Sequence, residues 1–123
     1  MQTPTSLDFL KAYLKDVLDI RSVSKFAFEP VPSNLKGEEL NKVILEKLSV
    51  YFAKMAIYDH QIQNAGNKPS LQAAGSLYVA MKALEQLKKV AVLNKEVMHK
   101  LVVASGEREI DILEISQRIL YLA

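Results

Sequence analysis

The sequence predicts an all-α fold, a five-helix bundle built around one buried central helix. Three observations predict it. Apolar residues recur at spacings of three and four in five separate blocks, which gathers them on one face of each helix. Capping residues, glycines and prolines fall between the blocks, where helices start and stop. The third block, from Leu71 to Ala83, is apolar or small on nearly every side, as in a helix that others surround.

The first helix opens at Thr5 or Ser6, with Asp8 placed three residues past Thr5 for a capping box. Leu7, Leu10, Leu14, Val17 and Leu18 share its inner face, Lys11, Lys15, Asp16 and Asp19 lie off it, and its end is expected near Ile20. Ser22 to Lys36 carries Pro30 and Pro32, which remove donors and favour extended backbone, so it reads as an ordered connector. Phe26, Phe28 and Val31 are apolar islands in it, either packed on the core or forming a partner-facing patch.

After Gly37, the second block places Leu40, Val43, Ile44, Leu48, Tyr51, Phe52 and Met55 at helical spacing, with Glu38 and Glu39 favourable in the first turn. It is expected to run to about Asp59, and Asn64 to Asn67 form a turn by composition. Pro69 and Ser70 start the third helix, Ser70 as its cap. Leu71, Ala73, Ala74, Leu77, Tyr78 and Met81 are the expected structural centre of the fold, and Ala73, Ala74, Gly75, Ala80 and Ala83 let neighbouring backbones approach closely.

Asn94 caps a fourth helix with Val97, Met98, Leu101 and Val102 inward, and Gly106 stops it in a left-handed conformation. The fifth spans Glu107 to Leu122, with Ile112, Ile115, Ile119 and Leu122 on one stripe and Ile110, Leu113 and Leu120 alongside. The aromatics Tyr51, Phe52, Tyr58, Tyr78 and Tyr121, with Phe26 and Phe28, are mostly core candidates.

A chain of 123 residues is the length of one domain, expected over 1–123, and 50% hydrophobic with 24% charged residues is the balance of an ordered globular protein. Sixteen basic and 14 acidic residues are interspersed, leaving a net charge of +2 and no concentrated field. Cysteine is absent, which removes disulfides, thiolate metal sites and thiol nucleophiles and favours a reducing compartment, nucleus or cytoplasm. No apolar run approaches the roughly 20 residues of a membrane span, and the N-terminus lacks a signal-peptide pattern.

Residues that could carry chemistry are few. Glu96 and His99 have the Glu-x-x-His spacing of di-iron bundles, which need a second such motif and two further glutamates, so an ordinary surface pair is expected. Asp59 and His60 are adjacent and point in different directions on a helix. Asp8, Asp16 and Asp19 belong to a charged helix face. Lys82, Lys88, Lys89, Lys95 and Lys100 form a basic cluster, diluted by Glu85 and Glu96 and therefore read as a solvated face before a nucleic-acid surface. No phosphate loop, nucleophile elbow or zinc-protease motif occurs, and no catalytic residue, metal or cofactor is expected.

Several of these segments also carry a resemblance. Pro4 to Leu10 is similar to the proline, threonine and phenylalanine-leucine pattern that opens second cyclin boxes. Leu48 to Asp59 is similar to their second helix, and Lys68 to Ala80 resembles their proline-serine, paired-alanine and leucine pattern through the central helix. Glu107 to Leu122 matches the final helix by position. The chain departs in its long Ser22 to Lys36 connector, in Lys54 where an acid is common, and in having no tryptophan.

The resemblance implies a C-terminal cyclin box, a non-catalytic fragment of a longer regulatory subunit. Its implied partners are a first cyclin box of the same chain and a cyclin-dependent kinase, with no membrane. The implied location is nucleus and cytoplasm. Two other functions stay open: a cyclin-fold transcription-factor core that binds DNA or polymerase, and an unrelated helical interaction scaffold.

Overall fold

The computed structural model describes residues 5–20, 34, 36–59 and 68–122. These form helices α1 (Ser6–Leu18), α2 (Gly37–Tyr58), α3 (Pro69–Lys88), α4 (Lys95–Ser105) and α5 (Glu109–Leu122), with no strand among the described residues. The fold is all-α.

Local signals account for most helix ends. At α1 the capping box closes in both directions: the Thr5 N–H donates to Asp8 Oδ2 at 2.9 Å, and the Asp8 N–H donates to Thr5 Oγ1 at 3.3 Å. Asp19 ends α1 in the left-handed region, at φ 56°. Asn94 Oδ1 accepts from the Val97 N–H at 2.8 Å, and Gly106, at φ 69°, stops α4 with its N–H on the Val102 carbonyl. At two ends the structure differs from the sequence reading. The cap position of α3 is Lys68, with Pro69 at the first helical position, where its missing N–H costs nothing; Ser70 lies inside the helix and its hydroxyl is used elsewhere. The fifth helix begins at Glu109 because the left-handed turn at Gly106 carries the chain past Glu107 before a helix can restart.

Helix α3 packs against α1, α2, α4 and α5 and is the centre of the bundle. Ala73, Ala74, Leu77 and Met81 have no exposed surface, and Leu71 is buried. Around them lie Leu10 and Leu14 of α1, Phe52 and Ala53 of α2, Leu101 of α4, and Ile112, Ile115 and Ile119 of α5. The contact with α5 is close at Gly75, where an added Cβ would stand 2.5 Å from Ile115 Cγ2. Buried polar groups on α3 are satisfied: the Ser6 hydroxyl donates to Gln72 Oε1, and the Ser76 hydroxyl donates back to the Gln72 carbonyl at 2.7 Å.

The periphery corrects several burial expectations. Tyr78, placed at the structural centre by its spacing, is half-buried at the edge of α3. Tyr51, Tyr58 and Tyr121, taken as core candidates, are exposed by 57%, 81% and 79%. Neighbours in sequence sit about 100° apart on a helix, so Phe52 and Leu77 take the inward positions and turn Tyr51 and Tyr78 outward. Likewise α4 buries only Leu101 fully, with Val97, Met98 and Val102 half-buried, and Ile110 and Leu120 of α5 are largely exposed. A short helix on the flank of the bundle has one neighbour side, and one stripe suffices to cover it.

Candidate interaction surface

Besides the Ser6–Gln72 hydrogen bond, further polar contacts tie the described elements together. Arg118 of α5 forms a two-point ion pair with Asp59 at the end of α2, at 3.2 and 2.8 Å, with the Asp59 side chain only 8% exposed. The hydrogen bond and charge of Asp59 hold the guanidinium firmly protonated, and Tyr121 lies against it at 5.2 Å. At the start of α3, the Ser70 hydroxyl donates to Glu107 Oε1 at 2.7 Å, with Lys68 3.8 Å from the same carboxylate. The Tyr13 hydroxyl lies beside this group, and burial pushes its pKa up. Glu85 on α3 accepts the Val92 and Leu93 N–H groups at 2.9 and 3.0 Å, and chiefly the Val92 bond holds its carboxyl below the usual range. That bond fixes the α3–α4 connection. Sequence periodicity marked none of these pairs; only the aspartate closing the second helix, Asp59, stood out through the resemblance.

The candidate chemical residues stay apart. Glu96 is exposed and pairs with Lys100 one turn on, at 3.7 Å, while His99 is also exposed. Among the described residues no group of three or more His, Asp and Glu side chains is placed to hold a metal ion. Asp8 is engaged in its cap, where chiefly the Thr5 N–H lowers its carboxyl pKa, and Asp16 is on the exposed face of α1. Lys82, Lys88, Lys89, Lys95 and Lys100 are all exposed. Phe26, Phe28, Val31, His60 and the turn at Asn64 to Asn67 lie outside the described residues. No described helix is long and apolar enough to cross a membrane.

What remains is shape. A furrow of about 460 Å³ runs between α3 and α5, lined by Tyr78, Lys82, Leu113 and Leu120. A second hollow, of about 280 Å³, lies between the start of α4 and the same Tyr78, Lys82 and Leu113. A third, of about 360 Å³, opens between Leu18, Leu45, Leu84 and Val92, where α1, α2 and the end of α3 meet. Among the described residues the surface is thus one of packed helices joined by polar contacts, with shallow hollows between them.

Comparison with known proteins agrees with this character. The family model for the cyclin C-terminal domain matches residues 4–123. That domain is a regulatory, non-catalytic fold. No curated protein matches the chain, and no solved structure matches it. An α3 enclosed by four other helices, and a family match running over almost the whole sequence, lead to one conclusion: the chain belongs to the cyclin family, as a cyclin C-terminal domain.

Proposed function

We propose that this domain is the second cyclin box of a regulatory subunit that binds and activates a cyclin-dependent kinase in cell-cycle control. The observation that carries the reading is the cyclin C-terminal domain match over residues 4–123. In this reading the domain is a rigid support: it docks on a first cyclin box, which makes most of the kinase contacts, and completes the subunit. The location that follows is the one its kinase occupies, nucleus and cytoplasm.

The chain by itself then does not activate a kinase. The test joins it behind a first cyclin box and adds either the joined protein or the chain alone to purified, inactive cyclin-dependent kinases. Histone phosphorylation with the joined protein only supports the reading. Robust phosphorylation with the chain alone overturns the supporting role, and failure of the joined protein to bind any such kinase overturns the kinase assignment. The basic residues do not favour a DNA-binding alternative, since Lys100 is paired with Glu96 and the chain carries 14 acidic residues among its 16 basic ones.

A further inference from the structure

Helix α4 is fastened to α3 at both of its ends. Just before it, Glu85 Oε2 on α3 accepts the Val92 and Leu93 N–H groups at 2.9 and 3.0 Å. Just after it, Glu107 Oε1 accepts the Ser70 hydroxyl of α3 at 2.7 Å, and the Glu107 side chain is only 10% exposed. Glu85 lies near the end of α3 and Ser70 near its start. The chain therefore runs back along α3, bonded to it through a carboxylate on either side of α4.

Between the two fastenings the packing is thin. Leu101 is the one α4 side chain that is fully buried, while Val97, Met98 and Val102 are half-buried. Lys95, Glu96, His99, Lys100 and Val103 are exposed. A hollow of about 280 Å³ lies between the start of α4 and Tyr78 and Lys82 of α3. The backbone turns through the left-handed region on both sides of the segment, at Lys89 (φ 54°) and at Gly106 (φ 69°). Helix α3 is the opposite case, with Ala73, Ala74, Leu77, Val79, Ala80 and Met81 all without exposed surface. Segments with few buried apolar contacts open at a smaller free energy than the core they lie on.

We propose that α4 is a strap: the segment from Val92 to Gly106 lifts off as one unit while α1, α2, α3 and α5 stay packed, and the carboxylates of Glu85 and Glu107 are the fastenings that hold it down. Helix α4 packs on α1 and α3, so lifting it empties the site of Leu101 and uncovers apolar surface there. The hinges are the turns at Lys89 and Gly106, element ends of the kind that absorb backbone rotation in such motions. The strap is a property of this chain alone and does not depend on kinase binding.

The experiment is hydrogen–deuterium exchange of the 123-residue chain, followed by NMR in native buffer and in urea below the unfolding transition. The α4 amides from Met98 to Ser105 are expected to share one opening free energy. After correction for intrinsic rates they exchange about tenfold or more faster than the slowest α3 amides, and they respond less to urea, because a lifted strap exposes less surface than an unfolded chain. Glu85→Ala and Ser70→Ala each speed the α4 amides by about tenfold, a hydrogen bond to a charged group being lost in each. Glu85→Gln, which keeps an acceptor and loses the charge, gives a smaller increase. Asp59→Ala breaks the α2–α5 ion pair, which stays made when only α4 is open. It therefore speeds the slowest α3 amides and leaves those of α4 unchanged. Circular dichroism checks that each variant stays folded.

The proposal is overturned if the α4 amides share the free energy and urea slope of the slowest α3 amides, or if they exchange one by one with no common value. It is equally overturned if Asp59→Ala speeds α4 as much as α3, or if Glu85→Ala or Ser70→Ala leaves the α4 amides unchanged.

Discussion

Gly75→Ala probes a close contact between α3 and α5. In a helix interior the change alone favours alanine by roughly 1 kcal/mol. Here the new Cβ would lie 2.5 Å from Ile115 Cγ2, 3.5 Å from Ile119 Cδ1 and 3.6 Å from Ile115 Cβ. Carbon atoms settle at about 3.5–4.0 Å, so the gap is short by about 1 Å. Ile115 cannot swing clear, because its β-branch fixes χ1 against its own helix. Either α5 moves away from α3 or the side chain leaves its rotamer, at a cost of about 1–3 kcal/mol. Set against the propensity gain, the net loss is about 0–2 kcal/mol, up to roughly 10 °C in melting temperature for a domain of this size.

The net loss is small, so a double-mutant cycle decides the matter. Ile115→Ala alone leaves a cavity and costs about 2–5 kcal/mol. In combination the alanine at 75 loses its clash and keeps its propensity gain, so the pair is less destabilised than the sum by about 1 kcal/mol or more. Urea unfolding of the four proteins measures this. Additive effects, or a clear gain in stability from Gly75→Ala alone, would refute close packing of α3 on α5 at this point.

Other outcomes follow from the tethers and caps. Asp59→Ala removes the two-point partner of Arg118 and lowers the melting temperature by more than Asp111→Ala, which breaks the pair with Arg108, itself 77% exposed; equal shifts would show that the α2–α5 tether adds nothing. Asn94→Ala deletes the acceptor for the Val97 N–H and costs about 1 kcal/mol in chemical unfolding. Glu85 is held below its ordinary value of 4.5 in the folded chain, so its contribution is present above about pH 4.5 and is lost as pH falls through the lowered value. Glu85→Gln therefore shows lower stability near pH 7 and a flatter acid limb than the parent, read as urea midpoints down to about pH 3. Parallel acid limbs would remove Glu85 from the α3–α4 connection.

The sequence was most informative where its signals are local. The Thr5–Asp8 box, the Asn94 cap and the Gly106 stop are formed within a few residues, and the structure shows each of them. The enclosed third helix was legible because Ala73, Ala74 and Gly75 leave no polar face for solvent. The exposed tyrosines were misread for the same reason that helices were found: a spacing of three or four says which residues share a face, and several faces of α2 carry apolar groups. Ser70 looked like a cap because serine is a preferred capping residue at a helix start, yet its hydroxyl is drawn to Glu107, 37 residues away.

Among the described residues, helix number, helix order and the identity of the central helix were thus legible in the sequence alone, since backbone capping and apolar periodicity act over one or two turns. Only the tertiary structure decided which apolar faces stay uncovered and which charges meet. Asp59 finds Arg118 across 59 residues because α2 and α5 meet at that point, and Tyr78, Lys82 and Leu113 line one furrow because α3 and α5 dock at a particular height and rotation. That docking depends on a single missing side chain at Gly75 and on the shapes of Ile115 and Ile119, and close packing between helices leaves no trace in the spacing of residues within either one.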